Sequence, residues 1–153
     1  MKKTLYKKAI TEDIEATHIM LPKSVLWERI SGRFPGLQPF CADPEYMVTS
    51  SDIVERIAER STLDKEKEKD GDTFDCDFAA VCFKGETARQ FGLNSVGLVA
   101  DYATGLTYTI ILYFEDKKNP HDTLTLSAFD PQTDSWKVIG TPGFNAKYGF
   151  IFF

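Results

Sequence analysis

Phe74-Asp-Cys-Asp-Phe-Ala-Ala-Val-Cys-Phe83 is the stretch on which the fold class turns. Cys76, Ala79, Ala80 and Phe83 fall at i, i+3, i+4 and i+7, so one side of the segment is apolar at helical spacing. Asp75 near its start suits the positive end of a helix dipole. The segment predicts a buried helix over 74–83.

Downstream of that helix the period changes. From Ser95 onward, Val96 to Tyr102 and Thr107 to Phe114 are β-rich runs. Asp116-Lys-Lys-Asn-Pro-His-Asp122 is a turn, and Thr123 to Ser127 alternates as Thr-Leu-Thr-Leu-Ser. Asp130-Pro-Gln-Thr-Asp134 is a tight polar turn before Trp136, Val138 and Ile139, and Phe144 to Phe153 reads as a closing aromatic strand. Three apolar faces are expected to meet: the helix stripe, the Leu124/Leu126 face and the Tyr108–Phe114 run.

Upstream, the signals are helical. Pro22-Lys23-Ser24 opens a short helix with Val25, Leu26 and Ile30 on one face, and Gly32, Pro35, Gly36 and Pro39 break it. Thr49-Ser50-Ser51-Asp52 is a run of N-cap residue types with Glu55 three positions after Asp52. Behind it Ile53, Val54, Ile57 and Ala58 form a stripe opposed by Glu55, Arg56, Glu59 and Arg60. Asp64 to Asp72 alternates in charge and reads as a solvated loop or frayed helix end, without the carboxylate spacing of a calcium loop. Helices first and hairpins second predict an α+β domain, an N-terminal helical layer on a C-terminal antiparallel sheet, with 1–153 as one unit.

Composition narrows the function classes. Of 153 residues, 42% are hydrophobic and 27% charged, which fits a globular chain rather than a disordered one. Acidic residues outnumber basic ones 23 to 18, giving a net charge of −5 that argues against nucleic acid as a partner. Lys2, Lys3, Lys7 and Lys8 read as a solvated basic terminus. No apolar run reaches the roughly 18–20 residues that span a bilayer, and no apolar segment follows the basic start. Cys41, Cys76 and Cys82 are odd in number and lack CxxC spacing, so neither a disulfide framework nor a zinc site is expected. These features point to a cytoplasmic protein with no cofactor and no metal.

A cysteine near the start of a buried helix, followed by a sheet, is also a nucleophile's layout, since the positive end of a helix lowers a thiol pKa. Asp43-Pro-Glu-Tyr46, the capped helix, the charged loop, Phe74-Asp-Cys-Asp-Phe-Ala79 and Phe129-Asp-Pro-Gln-Thr-Asp134 together resemble the papain-like domain of the agglutinin C-terminal type. That resemblance covers roughly Cys41 to Ile139 and implies a papain-like or transglutaminase-like fold, of phage or bacterial origin. It implies Cys76 at the nucleophile position and Asp130 at the position that orients a catalytic ring. The family's histidine segment matches Gly105-Leu106-Thr107-Tyr108-Thr109, so Leu106 stands where the base belongs. His121 lies beyond the far end of the Thr107–Phe114 run, about 20 Å or more away at roughly 3.3 Å per residue, and His18 lies outside the pattern.

The reading that follows is a non-catalytic papain-like protein with vestigial Cys76 and Asp130, acting as a binding, inhibitory or accessory factor on a protein partner. A cysteine hydrolase of peptide or amide bonds, using Cys76 with a base from elsewhere such as His18, is the first alternative. A structural protein that self-associates through the Lys147–Phe153 strand is the second.

Overall fold

The computed structural model describes residues 2–63 and 76–153. Among these residues four helices, α1 (Lys2–Thr17), α2 (Lys23–Arg33), α3 (Ser51–Arg60) and α4 (Cys76–Phe91), accompany eight strands. These are β1 (Ile19–Pro22), β2 (Gln38–Phe40), β3 (Glu45–Val48), β4 (Val96–Asp101), β5 (Thr107–Phe114), β6 (Leu124–Asp130), β7 (Ser135–Lys137) and β8 (Gly149–Phe152). β1 and β3 pair antiparallel, and the other six form one sheet in the order β2-β8-β4-β5-β6-β7. The fold is α+β with a mostly antiparallel sheet, as the sequence implied. One pair departs from that expectation: β2 runs parallel to β8.

β5 is the centre of the sheet and its composition shows it. Tyr108, Ile110, Leu112 and Phe114 enter one core with α2, β1 and β3, while Ile111 enters a second core with α1, α3 and α4. A strand covered on both faces needs apolar residues on both, which is why Thr107–Phe114 reads as a continuous run. The stripe of α3 is buried as read, Ile53, Val54, Ile57 and Ala58 all facing inward.

Several boundaries move. α4 runs on to Phe91, extending its buried face from Ala79, Ala80 and Phe83 through Thr87 to Phe91. Phe74 and Asp75 and the charged Asp64–Asp72 segment lie outside the described residues. Leu124 and Leu126 pack in the core on the far side of the sheet from α4, so the three faces expected to meet are split between two cores. The cap of α3 is Ser50, whose hydroxyl donates to Asp52 Oδ1 at 2.5 Å and makes no cap bond, in place of a box from Asp52 to Glu55.

The N-terminal lysines belong to a helix, where a solvated tail was expected. α1 buries Ile10 and Ile14 against α3 and α4, and Arg56 donates to Asp13 Oδ2 at 2.6 Å. The closing strand is shorter than Phe144–Phe153, covering Gly149 to Phe152. It lies between β2 and β4, so both of its hydrogen-bonding edges are occupied within the chain. Lys147–Phe153 therefore offers no free strand edge for self-association.

Candidate functional site

Cys76 opens α4 beside the β4–β5 turn, half-buried. The Thr107 N–H donates to its Sγ at 3.5 Å, and the thiol donates to Asp77 Oδ1 at 3.5 Å. Asp130 ends β6 next to Phe129, which pairs with Thr109. Its two oxygens accept from the Gln132 N–H at 3.0 Å and the Thr133 hydroxyl at 2.8 Å, the bonds of a local turn. Leu106 is exposed at the start of β5. His18 follows α1, with Nδ1 2.9 Å from the Ile14 carbonyl, and His121 sits in the turn between β5 and β6, at the other end of β5 from Cys76. Burial raises the pKa of the Cys41 and Cys82 thiols.

The surface that the sequence reading missed lies beside Cys76. α4 packs on β5 and β4, and a groove of about 510 Å³ opens between the helix and β8. Its floor is Leu98 and Ala100 of β4, and one wall is Asp77 and Val81 of α4. The other wall is aromatic: Tyr102 is 71% exposed, Phe150 is 44% exposed, and their rings meet at 6.2 Å and 60°. The alternation of β8 explains the second ring, since Ile151 and Phe153 point into the core and Phe150 points out.

The first ring is held by a turn. Asp101, buried, accepts from the Ala103 N–H and the Thr104 hydroxyl, each at 2.9 Å. The Tyr102 N–H donates to the Tyr148 carbonyl at 2.8 Å. Asp77 and Asp101 are the charged residues lining the groove, so its potential is negative. The one available sequence signal was Tyr102 itself, an aromatic inside a turn of Asp101, Ala103, Thr104 and Gly105, where no core position is expected.

No family model and no curated protein matches the chain. Solved structures do. The chain is similar to one described as a PSL1a-E64 complex, with a TM-score of 0.64 and 20% identity over 88% of this chain and 51% of that one. It is similar also to Polyporus squamosus lectin bound to the human-type influenza-binding epitope Neu5Aca2-6Galb1-4GlcNAc, with a TM-score of 0.62 and 20% identity over 88% of this chain and 49% of that one. The shared property is the fold. The chain spans about half the length of the structures it matches.

These findings correct the sequence reading. The resemblance to a papain-like cysteine hydrolase, and the accessory and hydrolase functions drawn from it, are withdrawn, because the chain shares its fold with a structure described as Polyporus squamosus lectin. The assembly reading is withdrawn as well, since both edges of β8 are paired within the chain. The motifs behind that resemblance are short, and their turn and helix-cap residues recur wherever the local geometry asks for them. Among the described residues no helix is long and apolar enough to cross a membrane.

Proposed function

We propose that the chain is a carbohydrate-binding module whose ligand lies in the groove between α4 and β8. The observation that carries this is the exposed Tyr102–Phe150 pair in a groove that Asp77 also lines. A pyranose has a face of C–H groups and a rim of hydroxyls. The C–H face suits the negative face of an aromatic ring, and the hydroxyls need polar partners, here Asp77 and Thr107. The groove volume falls within the ~300–1,000 Å³ usual for small-molecule sites. The fold shared with Polyporus squamosus lectin supports the same reading. In this proposal the chain works as one domain in the cytoplasm, and any protein partner is reached through a glycan.

The charge of the groove sets the expected preference. With Asp77 and Asp101 in its walls, a neutral sugar is favoured over a sialylated one. The test is an NMR titration of the full chain with N-acetyllactosamine and with its α2-6-sialylated form. The neutral disaccharide is expected to shift the resonances of Tyr102, Phe150 and Asp77 saturably and to bind more tightly than the sialylated one. Tyr102→Ala is expected to weaken binding about tenfold, the loss of ~1.4 kcal/mol of ring contact. Its melting temperature should hold, because the side chain is solvent-exposed. Absence of groove shifts with a panel of neutral glycans would sink the proposal.

A further inference from the structure

The other end of the sheet carries a second recess. β7 turns Trp136 toward Tyr113 of β5, their ring centroids 6.2 Å apart and their planes at 80°, so the two rings form the walls of a corner. A groove of about 330 Å³ opens there, bounded also by Ser51 and Glu55 of α3 and by Ser127 of β6. Both walls are fixed from behind. The Tyr113 hydroxyl hydrogen-bonds the Ser127 hydroxyl at 2.9 Å, and the Trp136 ring packs on Phe129 at 4.9 Å.

Two aromatic rings and one carboxylate set the character of the corner. Two aromatic faces present their negative quadrupoles, and Glu55 adds a full charge at the rim. Burial, the larger cause, and then the charges of Glu115 and Glu55 raise the Tyr113 pKa, which places both carboxylates within electrostatic reach of its phenol. Several of the chain's own cations are engaged elsewhere. Lys137, which also lines the groove, has its ammonium 6.0 Å from the centre of the Phe144 ring, and Lys117 pairs with Asp52 at 3.0 Å. Arg56 stands over Tyr6, Arg60 over Phe91 and Lys84 over Phe152. Among the described residues no cation stands over the Trp136 or Tyr113 ring.

We infer that the Trp136–Tyr113 corner binds the ammonium group of an organic cation, with Glu55 as its counter-ion. The site is separate from the glycan groove and stands or falls independently of it. A quaternary ammonium fits best, since its methyl groups lie against both rings and its weak hydration makes it cheap to desolvate.

The experiment follows the Trp136 indole N–H resonance of the full chain during titration with choline and with 3,3-dimethylbutan-1-ol, the uncharged carbon analogue of the same shape. Choline is expected to shift it saturably and to bind roughly five- to thirtyfold more tightly than the alcohol. Glu55→Gln, a change at an exposed helix position, should narrow that ratio several-fold and leave the melt unchanged. Trimethyllysine amide run beside choline separates the sources, a free solute or a peptide-borne side chain, by which of the two binds more tightly. Equal binding of choline and the alcohol, a ratio untouched by Glu55→Gln, or no saturable shift with either cation would each overturn the inference.

Discussion

Gly97 of β4 lies directly against the ring of Phe153: a Cβ at position 97 would stand 2.5 Å from Cε2 of that ring. The ring has little room to yield. Phe153 is buried, packs edge-on against Tyr46 at 6.2 Å, and has its N–H bound to the Phe40 carbonyl at 2.9 Å. Gly97→Ala should therefore overpack the core at a cost of about 1–3 kcal/mol. At ~2–4 °C per kcal/mol for a chain of this size, thermal melts should fall by roughly 2–12 °C. Phe153→Leu made in the Gly97→Ala background should recover part of the loss. A cycle of the four melts that proves additive would mean the two residues do not contend for space.

β8 carries the same argument to the whole C-terminal end. Ile151 and Phe153 are buried, and Gly149 is there because a Cβ would fall 1.8 Å from the Ala100 carbonyl oxygen. Burying each of the two large side chains contributes roughly 2–3 kcal/mol, against a total stability of about 5–15. Removing the strand would also leave β2 without a neighbour and β4 with an open edge. Deletion of residues 149–153 is expected to give insoluble or unfolded protein, read by solubility and near-ultraviolet circular dichroism. A soluble truncation with unchanged melting would mean the strand has no part in the core.

Periodicity accounts for what was legible from the residues. The α3 stripe and the β5 run bury one or both faces fully, so their patterns survive intact. α1 was obscured because its buried positions among the described residues, Ile10 and Ile14, make a stripe one residue wide among lysines and glutamates. β1, β2 and β3 are three or four residues long and contain Pro22 and Pro39, below the length at which alternation can be read. Both recesses join residues far apart in sequence, Asp77 with Phe150 and Glu55 with Trp136, and only the tertiary fold brings them together. The papain-like reading failed for the opposite reason, since it rested on local motifs alone.

Tyr108 should control part of the alkaline limb of stability. Its hydroxyl is buried without a hydrogen-bond partner, and burial, aided by Asp101, pushes its pKa from 10.0 up to about 12. The Ala146 backbone works in the opposite direction, but lies outside hydrogen-bonding geometry. Below pH 10 both the folded and unfolded states hold the proton. Between pH 10 and 12 the unfolded phenol ionises while the folded one stays neutral, so stability falls as pH rises, by about 2 kcal/mol across the window. Tyr108→Phe removes the unpaired hydroxyl and should be neutral or stabilising by about 1 kcal/mol at pH 8. It should also flatten the fall between pH 10 and 12 in part, since burial raises Tyr46 and Tyr113 as well. Denaturant midpoints at pH 8, 10 and 11 read both effects, and a loss of stability at pH 8 would show that the hydroxyl is well satisfied.

Asp101 ties the fold to the glycan groove. Its carboxylate closes the turn onto the Ala103 N–H and the Thr104 hydroxyl, its own N–H donates to the Leu106 carbonyl, and its carbonyl accepts from the Gly105 N–H. Four bonds converge on one buried residue, and the next residue in the chain is Tyr102. Asp101→Ala removes the shared acceptor of the Ala103 N–H and the Thr104 hydroxyl, both on exposed residues, and should cost about 1–3 kcal/mol in denaturant melts for two bonds to a carboxylate. The effect on binding should exceed that of a general loss of stability. With the turn loosened, Tyr102 must be ordered at the moment of binding, so the affinity for N-acetyllactosamine should drop several-fold even where the variant is fully folded. Asp101→Asn keeps an acceptor for the Ala103 N–H and should recover part of both losses. Full affinity in a folded Asp101→Ala variant would mean that Tyr102 needs no positioning by this turn, and would remove the main structural support for a ligand at that ring.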